Sequence, residues 1–470
     1  MNSLCQLLVL LGSLALLMCL VIRGKSIFVV APLCALLAVT LSGEDPVAKM
    51  NGAYMEGFAD YVKKFYLIFA LGAVFGKLME DSGAAITVAN TVGKLLGKER
   101  ACLAVVLACA LLTYGGVSLF VVGFSVYPLA VQLFRAASLP RRFIPGAIAF
   151  GSITFTMTSA GSPEIQNLIP IQYLIDEATK QPLTDARAGW PVSIIVAVGM
   201  FAVGQWYLER VLRRAVADGE RFEPRDGDHV ATQADSRRPS FIVAITPLVV
   251  TLLALNLLPF ACHQLAHFVS AASSPTIHAV LSKFPEDGTL SILLGVLAGV
   301  CLMRRQLADV WQCFGDGFIN GLLAVGSTSA VVGFGSAVKD LPAFQTVVTW
   351  VTHLPFENPL VSAAIAVAVI AGIAGSASGG QGIALPILKP IYIDQLDVAP
   401  RALHRVVSIA SGSLDSLPAN GYLVMLIRNI CGETHARAYG PIFVTTVLLP
   451  AAGTALAIAL FKWFPSWAAM

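Results

Sequence analysis

The stretch Ala371-Gly-Ile-Ala-Gly-Ser-Ala-Ser-Gly-Gly-Gln381, "AGIAGSASGGQ", follows an almost wholly apolar run, "PLVSAAIAVAVI", from Pro359 to Ile370. Glycine and serine are poor helix formers, and a backbone broken inside lipid strands amide groups that have no water to bond. The segment is therefore either a loop outside a membrane or a break that serves a purpose.

Composition supplies the membrane. Of 470 residues, 56% are hydrophobic and 13% charged, and the mean hydropathy is +0.76. Globular domains carry roughly 25% charged residues, so this density cannot cover a water-soluble surface of such size. Nothing resembles a phosphate loop, a zinc site or a nucleic-acid surface, and no cofactor is expected. The nine cysteines sit mostly in apolar runs such as "LLMCLVI" and "ACLAVVLACALL" and read as small buried hydrophobes. The N-terminal "MNSLCQLLVLLGSLALLMCLVI" lacks a basic n-region and reads as a first transmembrane helix.

Runs long enough to cross a ~30 Å core lie near 4–22, 26–43, 64–80, 143–160, 188–208, 240–258, 288–303, 318–338, 403–427 and 440–463. Two further apolar regions, 101–134 and 358–393, are too long for one crossing and carry Gly/Ser in the middle; each reads as a hairpin that enters and leaves on one side. The segment 209–239, charged and without an apolar period, reads as a cytoplasmic linker between a first half, 1–208, and a second, 240–470. With the hairpins not crossing, Arg23/Lys25, "GKLLGKER", Arg141/Arg142, the linker arginines and Arg304/Arg305 share the cytoplasmic side. The first hairpin then opens from the cytoplasm and the second from outside.

Opposite-facing hairpins suggest an inverted repeat. A shift of 260 pairs Glu56-Gly57-Phe58 with Asp316-Gly317-Phe318, Gly115 with Gly375, Ser118 with Ser378 and Pro140-Arg141 with Pro400-Arg401; Asp81 pairs with Asp340 at 259. Five crossings per half, an odd number, turn the second copy upside down. The fold expected is an all-α polytopic membrane protein, about ten transmembrane helices plus two re-entrant hairpins in two inverted-topology repeats.

"GSASGG" thus has a counterpart in "TYGGVSLF", Thr113–Phe120, and each is read as a hairpin tip. Such tips expose free N–H groups and positive half-helix ends, which suit an anion, although close helix packing by small residues is the alternative. Each hairpin is followed by a second interruption, "FTMTSAGSPEIQNLIP" (Phe155–Pro170) and "SIASGSLDSLPANGYLV" (Ser408–Val424), where proline among small polar residues splits a helix. Transporter folds place substrate and coupling ion among such broken elements. Two carboxylates fall there, Glu164 and Asp415, and an intramembrane carboxylate is a functional candidate. Both also read as helix caps: Ser162 as N-cap with Pro163 first in the helix and Glu164 in its first turn, and Asp415 capping a half-helix near Leu417-Pro418. His404, near Arg401 and Arg405, reads as structural. Hydrolase readings fail in detail: "SASGG" resembles a rhomboid serine motif without its glycine, and "FGDGF" sits at a helix entry with no partner.

At these segments the chain resembles the gluconate permease family of bacterial secondary transporters, from about residue 5 to 460. "FGKLMEDSGAAITVANTVGKLLGKERA" is similar to that family after its early helices, and "GSPEIQNLIP", "GSASGG" and "SGSLDSLPANG" are similar to its 3-hydroxybutyrate, or short hydroxy-acid, permease branch. The resemblance implies a multi-pass protein of the bacterial inner membrane, a homodimer, and elevator-type alternating access. It implies a substrate site of Gly115, Gly116 and Ser118 with Thr158, Ser159, Ser162, Gln166 and Asn167 in the first half, and Ser376, Ser378, Gly379, Ser413, Ser416 and Asn420 in the second. One departure is Ala419, where relatives often have His. The partners expected are the lipid bilayer, a small carboxylate (3-hydroxybutyrate favoured over gluconate) and a coupling proton carried by Asp415 first or Glu164 second. A sodium-coupled version and a cation/proton antiporter are the alternatives.

Overall fold

The computed structural model describes residues 3–23, 25–224, 238–268, 288–339, 341, 344, 346, 358–418 and 420–470. Residues 225–237 of the linker, Asp340 and Ala419 lie outside these residues, so the readings made on them do too. The described residues are helices joined by turns, with one isolated bridge, Ile175 to Pro182. The chain opens with α1 (Ser3–Ile22) and α2 (Ile27–Leu41), then a short α3 (Pro46–Lys49) capped by the Asp45 carboxylate. α4 (Met55–Asp81) and α5 (Ala84–Leu96) follow. α6 (Ala101–Tyr114), α7 (Leu119–Ala136) and α8 (Ile144–Ala149) precede the break, and α9 (Ile165–Tyr173) and α10 (Trp190–Ala217) follow it.

The second half repeats this order. α11 (Phe241–Phe268) and α12 (Thr289–Met303) form a pair like α1 and α2; α13 (Val310–Val338) matches α4. α14 (Pro359–Ala374) and α15 (Ala377–Lys389) match α6 and α7, and α16 (Pro400–Leu414) matches α8. Past the second break come α17 (Gly421–Val424), α18 (His435–Phe443) and α19 (Leu449–Trp463). α6 and α14 end at Tyr114 and Ala374, 260 residues apart.

The halves meet through α4 and α13, which pack antiparallel along their length. A Cβ at Gly57 would lie 2.1 Å from Ser336 Oγ, while at the other end a Cβ at Gly317 would lie 2.6 Å from Val74 Cα. Small residues here let two backbones approach closely, as membrane helices do when dispersion replaces the hydrophobic effect. Two segments paired by the sequence shift thus run in opposite directions. α2 packs on α13 and α12 on α4, so each half places its hairpin of outer helices against the other half's long helix.

Helix length explains why the two Gly/Ser regions turn back. At about 1.5 Å per residue, the 14 residues of α6 and 13 of α15 span roughly 20 Å, short of a ~30 Å hydrocarbon core. Both first arms end in the same turn. Val117 N–H bonds Leu112 O at 3.0 Å and Ser376 N–H bonds Ala371 O at 3.2 Å, around left-handed glycines Gly116 (φ +93°) and Gly375 (φ +62°). The structurally equivalent glycines are therefore offset by 259, not by the 260 that pairs Gly115 with Gly375.

Two elements depart from the sequence reading. α10 runs on to Ala217, past the boundary read at Glu209, because Leu208, Leu212 and Ala215 recur on one buried face between the charges. α5 is a separate helix that the list of crossings does not contain.

Candidate functional site

Each hairpin tip is fastened to the break in its own half. In the first, Tyr114 Oη donates to Ala160 O (2.7 Å), and Gly116 lies against Pro163, where a Cβ would come within 3.1 Å of Cγ. α11 closes this tip from outside: Asn256 Nδ2 donates to Gly161 O (3.0 Å), and Leu248 fills the space beside Gly115. In the second, Ser376 caps α15 by accepting from Gly379 N–H (3.3 Å), and its Oγ lies 3.1 Å from Ser378 Oγ. Asn420 Nδ2 reaches Gly375 O (3.4 Å) and Asp415 O (3.0 Å). The scaffold enters here as well, since the buried Tyr61 of α4 packs on Gly382 with its hydroxyl turned toward Ser378.

The first break is then joined to the second half. Gln166 O accepts from Gln381 Nε2 and from Ser408 Oγ, both at 3.1 Å, and Gln381 Nε2 also donates to Ser411 Oγ (2.7 Å). Asn167 donates through Nδ2 to Ser162 O (2.8 Å) and Ala186 O (2.9 Å), while its Oδ1 accepts from Arg405 Nη2 (3.0 Å). Among the described residues, five oxygens at the tips and breaks are buried with no partner: Tyr61 Oη and Thr113 Oγ1 at the tips, and Thr158 Oγ1, Gln166 Oε1 and Gln381 Oε1 where the first break meets the second half. Two clefts of about 1100 and 430 Å³ approach opposite ends of the α4–α13 pair, one along α7 and the other along α15. Neither is lined by the breaks themselves, which lie between them.

A family model for GntP family permeases matches residues 5–461. The chain belongs to the GntP permease family. It is a multi-pass membrane transporter, not an enzyme, and the two hydrolase readings fall away. The permease is 35% identical over 475 residues to an uncharacterized transporter, YxjC, of Bacillus subtilis (strain 168), which covers 95% of this chain and 97% of the relative. It is 24% identical over 406 residues to the high-affinity gluconate transporter of Escherichia coli (strain K12), covering 85% and 86%. The solved structure of Neisseria gonorrhoeae MtrF superposes with a TM-score of 0.52 at 13% identity, over 89% of this chain and 84% of that one, a likeness of fold alone.

In the permease the two carboxylates do not cap helices as their local sequence suggests. α9 starts at Ile165, and Glu164 takes the N-cap place in an extended conformation without a side-chain bond; Ser162 Oγ instead accepts from the Glu164 N–H (3.3 Å). Asp415 ends α16. The helix after the second break starts at Gly421, where Asn420 Oδ1 accepts from Leu423 N–H (3.1 Å) as its cap. Asp415 is 8% exposed and accepts from Ser416 Oγ (2.9 Å). No hydrogen bond or ion pair joins Glu164 to Asp415 among the described residues. Ser159 and Ser413 turn back onto their own chain, donating to Phe155 O and Ala410 O.

Sequence reasoning missed Arg405. Its side chain is fully buried, with Nε donating to Ala188 O (2.9 Å) and Nη1 to Thr158 O (2.5 Å) besides the bond to Asn167. Arg405 lies far from the first break in sequence but reaches it from α16. An ion at such depth carries an effective desolvation penalty on the order of several kcal/mol. The missed signal is periodic. His404, Arg405, Ser408, Ser411 and Gly412 follow the i, i+3/i+4, i+7 spacing of one helix face, and that face covers the first break. His404 is structural as read, bonded to Thr184 (2.8 Å) and Asn167 (3.3 Å).

Proposed function

We propose that the permease imports a small hydroxy-monocarboxylate, with 3-hydroxybutyrate favoured over gluconate, by proton symport across a bacterial inner membrane. Asp415 is the first proton carrier in this reading and Glu164 the second. The observation that carries it is the setting of Asp415, a buried carboxylate where the second break meets the second hairpin tip, with a single serine hydroxyl and nearby backbone as its company. A buried carboxylate of this kind is stable when neutral and costly when ionised, which suits a group that must gain and lose a proton as the site changes exposure.

The small substrate is supported by how little hydrogen-bonding capacity is left over. Most polar groups of the breaks already bond to one another, which leaves few partners for the chain of hydroxyls in gluconate. The gluconate alternative rests on the relatives that bear that substrate in their names. Homodimerisation and elevator-type movement of the hairpin-bearing elements past α4 and α13 complete the proposal; the clefts at both ends of that pair are where such movement would open a path.

The test is uptake of labelled 3-hydroxybutyrate into proteoliposomes under an inward proton gradient without sodium, with gluconate and lactate as competitors. Accumulation that collapses with a protonophore is expected. Uptake that needs sodium would replace the coupling ion, and preferential displacement by gluconate would replace the substrate.

A further inference from the structure

We infer that Arg405 is the fixed charge that selects an anionic substrate, a positioning residue that acts on the site through the first break. This rests on the organic-acid reading above. The guanidinium is fully buried, yet its three bonds all go to neutral oxygens: Ala188 O, Thr158 O and Asn167 Oδ1. Of five donors, two have no acceptor among the described residues. The nearby carboxylate, Asp185, is already engaged by Arg401 at ion-pair distance and by Arg187 at 3.8 Å. The local sum over Arg187, Arg401, Arg405 and Asp185 is three positive charges against one negative.

A buried cation without a counter-ion is expensive to keep, and the positive N-terminal end of α9, whose first turn holds Gln166, lies at the same place, where Gln381 from the second turn of α15 bonds Gln166 O. Independent of charge, three buried oxygens there await a donor: Thr158 Oγ1, Gln166 Oε1 and Gln381 Oε1, on side chains 2, 9 and 0% exposed. A positive field together with unpartnered acceptors fits one kind of ligand, an anion that also carries a hydroxyl. The carboxylate supplies the charge that Arg405 lacks. The hydroxyl supplies a proton donor to one of these oxygens.

Arg405→Gln keeps length and hydrogen bonding while removing charge; Arg405→Lys keeps the charge. In proteoliposomes, R405Q is expected to raise the KM for 3-hydroxybutyrate about tenfold or more, as loss of a nearby fixed charge in a buried site does, while R405K stays within about threefold. The neutral amide, 3-hydroxybutyramide, is expected not to compete with the acid in wild type and to gain ground on it in R405Q. Equal losses in R405Q and R405K, with both proteins eluting as folded species, would make the residue merely structural and overturn the inference, as would an unchanged KM in R405Q. If R405Q does not fold, wild type and R405K decide: amide competing as strongly as acid overturns it, and amide that fails to compete with R405K near wild type supports it. A wild type that takes up neither 3-hydroxybutyrate nor gluconate removes the functional reading, and the charge-selection reading with it.

Discussion

The two hairpin tips are built alike and packed differently. Both end their first arm with a left-handed glycine and both turn into a second arm after a serine, yet the first is sealed. A Cβ at Gly115 would meet Leu248 at 2.4 Å, and Gly116 touches Pro163, whereas a Cβ at Gly375 would meet nothing within 4 Å, as would one at Gly421 across from it. The first half therefore supplies a fixed wall, while the cation that reaches its break, Arg405, comes from α16 of the second half. The second supplies the room and the buried carboxylate. A repeated fold has kept its backbone device and divided its chemistry.

The largest effect expected from this division is at Asp415. Asp415→Asn should abolish gradient-driven accumulation, bringing the inside-to-outside ratio to about one, while leaving exchange of internal for external substrate intact, because a permanently neutral group can accompany substrate both ways but carries no net proton. Full accumulation in that variant would move the coupling role elsewhere. Next comes packing. Gly115→Val should lower stability by about 1–3 kcal/mol by overpacking against Leu248, and Gly375→Ala by about 1 kcal/mol, from backbone conformation alone. Thermal unfolding in detergent checks both, and an equal or larger loss at Gly375 would show that the second tip is not the open one.

A finer contrast lies in the caps. Ser376 accepts from Gly379 N–H, but Ser118, in the corresponding place before α7, makes no cap bond. Ser376→Ala should therefore cost about 1 kcal/mol and Ser118→Ala close to none. The smallest effect is expected at the C-terminal end of α15, where Lys389 Nζ binds Glu177 Oε1 at 2.9 Å. Lys389 and then Lys180 hold the Glu177 carboxyl down at about 2. A depressed carboxylate keeps its pair above its ordinary range and loses it only as pH falls toward that value, so the tie is constant across the range from about pH 5 to about pH 8. Glu177→Gln should leave the pH profile of uptake unchanged, since Glu177 is exposed and solvent screens its side of the pair.

Much of this was readable before any coordinates. The breaks were, because Gly, Ser and Pro act on the backbone at the position where they stand, and the repeat was, because matched breaks recur at nearly one offset. Glu164 and Asp415 were singled out by their place in the breaks, but their local geometry was misjudged. "SPE" matches a helix start by residue type, yet the extended Glu164 backbone delays the helix by two places, and Asn420 took the capping role assigned to Asp415.

Sequence by itself determined that this chain lives in a bilayer, where its helices break, and to which family it bears likeness, since hydropathy, helix breaking and motif order are carried by neighbouring residues. Only the tertiary structure decided which half is sealed and where the buried charge acts. Arg405 and Thr158 are 247 positions apart and meet because α16 lays one polar face across the first break. No local rule can bring a cation from one repeat to the carbonyls of the other; that takes the antiparallel packing of two halves, and it is there that the site acquires its sign.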